Sequence, residues 1–138
     1  MKSLPMLIRW KRMSLDEATQ ALNKLEQERI QMYHKLKAMK DQLEHEKQMA
    51  ADDVELRISW KQYYHGMIQR MEKLVREIQN HETFMEPVRD SVKDKFIEVK
   101  NLEVAQENLQ KEEHALQEKR LQEEIDDITT MRYNRSTK

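Results

Sequence analysis

Counted from Ile8 in alternating steps of three and four, the chain reads Ile8, Lys11, Leu15, Ala18, Leu22, Leu25, Arg29, Met32, Leu36, Met39, Leu43, Glu46 and Ala50, and ten of these thirteen residues are apolar. Apolar side chains at that spacing form a narrow stripe down one side of an α-helix. Such a stripe is too thin for a globular core and suits one partner helix. A second stripe follows in the same chain: Trp60, Tyr64, Met67, Met71, Leu74, Ile78, His81, Met85, Val88 and Val92, with His81 its one polar member. Two long helices, each needing the other, are the simplest arrangement that covers both.

Turns favour Gly, Pro, Asn and Asp, yet the chain has one Gly and two Pro in 138 residues. The first stripe fades after Ala50, where Asp52 and Asp53 follow. Ser59 with Gln62 matches a capping box, and Ile58 is placed to staple onto Tyr63, so the second helix is expected to start at Ser59. Ser14-Leu-Asp-Glu17 also matches a capping box, but the first stripe runs through it and the helix is read as continuous. Pro5 sits where a first turn tolerates it. The expected fold is all-α: a long antiparallel two-helix coiled-coil hairpin forming a single domain over 1–138. Helix one covers about 4–50, the turn lies near 51–58, helix two covers about 59–132, and 133–138 form a frayed tail. Laid side by side from the turn, Leu43 falls near Tyr64 and Leu22 near Met85. Helix two is the longer, with roughly 25 residues overhanging.

Two features disturb helix two. Pro87 removes a backbone hydrogen bond and either kinks the helix or breaks it, with Thr83 and Glu86 available to cap a restart. Past Val92 the next apolar residues, Phe96, Val99 and Leu102, arrive after an extra step of four, which reads as a stutter. Beyond Leu109 the stripe thins to Leu116, Leu121, Ile125 and Ile128.

Charge narrows the function. The 25 basic and 26 acidic residues are interleaved, which gives no general attraction for nucleic acid or anionic membrane. No cysteine is present, so disulfides, thiol catalysis and cysteine metal sites are excluded. No apolar run approaches the ~20 residues of a membrane span. The opening MKSLPMLIRWKR lacks a secretory h-region, which points to the cytoplasm. His34, His45, His65, His81 and His114 show no HExxH spacing, and no GxSxG, P-loop or GxGxxG motif is present. The acid pairs Asp52–Asp53 and Asp126–Asp127 are ordinary on solvated helices. Two helices offer no enclosed pocket in which carboxylates are tuned for catalysis. The expectation is an interaction protein, not an enzyme, with no metal and no cofactor.

Three regions are candidates for contact. In WKQYYHGMIQRMEKL (Trp60 to Leu74) the seam residues are accompanied by Tyr63 and Ile68, and Val75 follows just beyond. Together they widen the apolar band past what one helix covers. The band is either core at the hairpin tip or a surface for another protein, a use to which Tyr, Trp and Met are suited. Gly66, which costs about 1 kcal/mol relative to Ala inside a helix, either admits a close backbone or is simply tolerated. At the two ends, Lys2, Arg9, Lys11 and Arg12 precede the first acid, Asp16, while Glu123, Glu124, Asp126 and Asp127 precede Arg132, Arg135 and Lys138. These are solvated ends, or a contact that long-range charge helps to orient.

The opening KSLPMLIRWKRMSLDEA, the block WKQYYHGMIQRMEKLVREI and the ending KNLEVAQENLQKEEHALQEKRLQEEIDDITTMRY, in that order, resemble the FliJ family of the bacterial flagellar export apparatus. The opening is similar to its alphaproteobacterial branch. The resemblance covers nearly the whole chain. It implies a coiled coil like the γ stalk of rotary ATPases, in a type III export component that is cytoplasmic and peripheral at the inner membrane. It also implies termini that enter the ring of the export ATPase FliI, a mid-hairpin surface for the export gate protein FlhA, and binding of empty export chaperones. Carried onto this chain, the gate-facing positions are Tyr64, Met67, Met71, Leu74 and Ile78. Helix one lacks the expected tyrosine pair near the tip, where Met39 and Leu43 are the nearest apolar residues. The ring-facing regions are Leu4 to Arg12 and Leu116 to Arg132, with Leu7, Ile8, Arg9, Arg12, Leu121, Ile125 and Ile128 as the contact residues. The gate-facing set lies on the seam itself, so not every member serves both purposes. A homodimeric coiled-coil scaffold and the stalk of a virulence injectisome are the competing readings.

Overall fold

A computed structural model describes residues 3–136. It contains two helices, α1 (Ser3–Asp52) and α2 (Val54–Ser136), and no strand among the described residues. The all-α expectation holds, and α2 is the longer helix at 83 residues against 50. All thirteen residues of the first stripe, Lys11, Arg29 and Glu46 included, are buried or half-buried. Lys2 and Lys138 lie outside the described residues.

Asp53 alone separates the helices. Its carboxylate Oδ1 accepts a hydrogen bond from the Glu55 amide at 2.9 Å, and its carbonyl accepts the Arg57 amide at 3.2 Å. That is the geometry of an N-cap residue, whose side chain satisfies an amide with no intrahelical partner. Arg57 serves the other helix end. Its Nε donates to the Ala50 carbonyl at 3.1 Å, and a terminal nitrogen donates to the Ala51 carbonyl. The last turn of α1 contains no basic residue, so Arg57 supplies the cation that the carbonyls at its end attract. No described residue has a positive φ. A cap and a guanidinium make this turn where a left-handed glycine makes many others.

Helix α2 therefore begins at Val54, five residues earlier than the start at Ser59 that the sequence led us to expect. The Ser59 hydroxyl donates back to the Leu56 carbonyl at 3.2 Å, and Ile58 is 80% exposed, so neither the capping box nor the staple forms. Asp53 is the better cap because the acid Glu55 follows it in the first turn. Pro87 lies inside α2, which continues through it. The restart at Thr83 and Glu86 is absent, and the Thr83 hydroxyl instead donates to the Gln79 carbonyl at 2.9 Å. Proline deprives the Thr83 carbonyl of its partner, and both residues are exposed. The helix likewise continues past residue 132 to Ser136.

The chain divides into two compact units: a hairpin unit, Ser14–Lys95, and a terminal unit of residues up to Met13 with those from Phe96 onward. In the hairpin unit Leu36, Leu74 and Ile78 form the core cluster, packed by Met32, Met39 and Met71. Met85 is fully buried, and Met67 and Ala50 are each 5% exposed. In the terminal unit Ile8 and Val99 are buried. Lys11 pairs with Glu98 at 2.7 Å and Arg12 with Glu103 at 3.2 Å. Every residue from Glu107 to Ser136 is exposed.

The second stripe departs from expectation at both ends. Tyr64 and Phe96 are 41% and 49% exposed, whereas their neighbours Tyr63 and Lys95 are half-buried. With Lys95 in place of Phe96 the spacing Val92, Lys95, Val99, Leu102, Gln106 alternates three and four, so there is no stutter. The polar residue is accommodated because its Nζ donates to Ser14 Oγ at 2.8 Å. That same Ser14 was the candidate cap, and α1 passes through it unbroken.

Gly66 is helical, and a Cβ built on it meets nothing within 4 Å. No close backbone approach within the chain requires it. Gly66→Ala is therefore expected to stabilise the hairpin by about 1 kcal/mol, read as a higher midpoint in thermal melts followed by circular dichroism.

Candidate protein-binding surfaces

The seam of the hairpin unit is occupied by its own helices. Met67, Leu74 and Ile78 are 5%, 4% and 3% exposed, and Met71 is half-buried. Of the five gate-facing residues expected from sequence, Tyr64 is the exposed one. Met39 and Leu43 on α1 are half-buried in the same seam.

Beside the seam runs a second apolar row. Tyr64, Ile68, Met71 and Val75 are spaced four, three and four residues apart, which puts them on one flank of α2. Ile68, Met71 and Val75 meet Leu36 across a shallow open groove whose rim is Lys40, Glu72 and Arg76. Val75 is 37% exposed and Ile68 is half-buried. A half-covered apolar row with charged edges has the anatomy of a protein-binding patch: an apolar centre and a polar rim. Towards the turn the row ends in rings, Trp60 against Tyr63 and Tyr64 with centroids 6.0 and 5.8 Å apart. Ile68 and Val75 were visible in the sequence as a widening of the band, but the heptad alone does not tell seam from flank.

Further along the hairpin unit, five polar side chains link the helices. Arg29 donates from Nε to Glu26 at 3.2 Å and from a terminal nitrogen to Glu82 at 3.3 Å. The Tyr33 hydroxyl donates to the same Glu82 oxygen at 2.7 Å, and Arg89 donates to Glu26 at 2.7 Å. The Arg29 guanidinium also lies 5.6 Å from the Tyr33 ring centroid. Beside them, His81 Nε2 donates to the Leu25 carbonyl at 2.8 Å. The hydrogen bond from Arg89 holds the Glu26 carboxyl below its ordinary value of 4.5, and the bond from Tyr33 does the same for Glu82. The Tyr33 hydroxyl is pushed above its ordinary value, chiefly by that bond to Glu82, and Arg29 is raised by Glu26. Nothing in the sequence reading pointed to this network, although an arginine among leucines and methionines was its signal.

The network gives a signed pH dependence. Carboxyls with a depressed folded pKa contribute stability that is present above their unfolded value and is lost as pH falls through the folded one. The melting midpoint is expected to drop on acidification from about pH 5 to pH 3. The drop should be smaller in Glu26→Gln/Glu82→Gln, measured by circular dichroism melts across that range.

In the terminal unit Leu7 and Arg9 are exposed, Ile8 is 2% exposed, and Arg12 is held by Glu103. Leu121, Ile125 and Ile128 are 58%, 48% and 52% exposed. Met6, Trp10 and Met13, which the sequence reading did not single out, are exposed at 55%, 62% and 54%. They recur at steps of four and three, which puts them on the face of α1 turned away from Ile8.

Among the described residues no three His, Asp or Glu side chains are grouped to hold a metal, and no helix is long and apolar enough to cross a membrane. The family model described as Flagellar FliJ protein matches residues 1–138, the whole chain. No curated protein and no solved structure matches it.

Proposed function

The chain belongs to the flagellar FliJ family and is a component of the flagellar protein-export apparatus; from that premise we propose that it works as a γ-like stalk between the export ATPase FliI and the export gate protein FlhA. It does so without catalysing a reaction and without a cofactor. Its place is the cytoplasm, peripheral to the inner membrane through the gate. The observation that carries the reading is the whole-chain family match to a sequence that forms paired helices.

The gate surface we assign to the flank of α2, Tyr64, Ile68, Met71 and Val75, with Leu36 and Lys40 as the facing wall. The four flank side chains support the assignment because they are apolar, aligned and at least partly exposed. Met67, Leu74 and Ile78 act from beneath, by holding the two walls of the groove together. The ring surface is formed by Leu7, Arg9, Arg12, Leu121, Ile125 and Ile128, with Ile8 anchoring the first segment. An exposed apolar row bordered by acids from Glu123 to Asp127 suits insertion into a ring of basic and apolar side chains. Empty export chaperones are the third partner class.

The test is reconstitution with the cognate partners. The chain is expected to raise the ATP hydrolysis rate of FliI under conditions of ring assembly, and to co-purify with the cytoplasmic part of FlhA. No stimulation together with no co-purification would falsify the reading.

A further inference from the structure

We propose that Glu26, Arg29, Tyr33, Glu82 and Arg89 form a clasp that selects the register in which the two helices of the hairpin unit pair. Apolar heptads match again whenever one helix slides past the other by seven residues, about 10 Å at 1.5 Å per residue. The seam here is poor at resisting such a slide. Met32, Met39, Met67, Met71 and Met85 line it, and methionine is unbranched and repacks readily.

The clasp discriminates where the methionines do not. Arg29 and Tyr33 both end on Glu82. The residues one heptad before and after Glu82 are Val75 and Arg89. A slid pair would offer Arg29 an apolar side chain or a second guanidinium in place of a carboxylate. Glu26 now accepts from Arg89, and the residues one heptad away from Arg89 are Glu82 and Phe96. A slide in either direction therefore leaves charges on the seam edge unpaired or opposed. A polar residue at a seam position sets register in this way, at some cost in stability. The selected register also brings Leu36 level with Ile68, Met71 and Val75, so the clasp builds the groove whether or not a partner occupies it.

The chain has no cysteine, so Gln20→Cys and Gln69→Cys, both at exposed positions, can carry the only two spin labels. Pulsed dipolar spectroscopy on the parent is expected to give one distance peak. In an Arg29→Leu background a second peak should appear, displaced by about 10 Å, with a melting midpoint no lower than that of the parent. Glu26→Ala/Glu82→Ala, which strips the acceptors without adding an apolar seam residue, should show the same second peak. Arg29→Lys, which keeps the charge, should retain mainly the parental one. One unchanged peak in both Arg29→Leu and Glu26→Ala/Glu82→Ala overturns the proposal. So does a lower midpoint with a single peak in Arg29→Leu, since the clasp would then be an ordinary stabilising contact.

Discussion

Ile68→Asp/Val75→Asp is expected to weaken FlhA binding by on the order of 100-fold, roughly 2.7 kcal/mol, while FliI stimulation and the thermal midpoint stay near those of the parent. The size follows from what the groove is: three apolar side chains on one helix and Leu36 on the other. Two carboxylates placed there must be desolvated against apolar atoms when a partner closes over them, a cost that the rim cations Lys40 and Arg76 offset only in part. The fold should survive because Val75 is already 37% exposed and Ile68 is only half-buried. Pull-down with the cytoplasmic part of FlhA, titration calorimetry and circular dichroism together read the outcome. Unchanged affinity with an intact fold would move the gate surface elsewhere on the chain. Loss of FliI stimulation as well would mean that the variant had damaged the helices at large.

This choice of residues differs from the one that the sequence invited, for a physical reason. A heptad identifies a helix face to within one position on either side. Met67, Leu74 and Ile78 stand at ideal seam spacing, and the intact hairpin buries them against α1. Tyr64 stands at equally good spacing, yet it turns outward while Tyr63 takes its place. Near the turn the buried face drifts by one residue, and local spacing carries no sign of that drift.

The stripe of α1 was fully legible because each of its thirteen members is buried or half-buried where the spacing put it. Its polar members were the informative ones. Lys11 reaches Glu98 and Arg29 reaches Glu82, and such long side chains find acceptors on the other helix that no local pattern records. The turn was legible only as a region. Ser59 with Gln62 carried the stronger textual signal, but a cap works only where a helix end needs one. The end is where Arg57 can reach back to the carbonyls of Ala50 and Ala51. That reach depends on two helices at once.

Met85→Ala is expected to cost about 2–5 kcal/mol, the largest loss of stability from any single truncation in the hairpin unit. Met85 is 0% exposed, the most deeply buried side chain among the described residues. Truncation removes the transfer free energy of three heavy atoms and leaves a cavity that two long helices close only by bending. Domains of this size are stable by roughly 5–15 kcal/mol, and a two-helix layer buries little apolar area for its length, so the variant should lose a large share of its margin. Denaturant titration followed by circular dichroism measures it. Met67→Asp makes the complementary point. It replaces a 5%-exposed side chain with a carboxylate and should unfold the hairpin unit, which would abolish gate binding through the fold. Ile68→Asp/Val75→Asp should weaken it by about 100-fold with the fold intact. If Met85→Ala melts with the parent while Met67→Asp remains folded, the seam is not what holds the hairpin together, and the groove built on it loses its foundation.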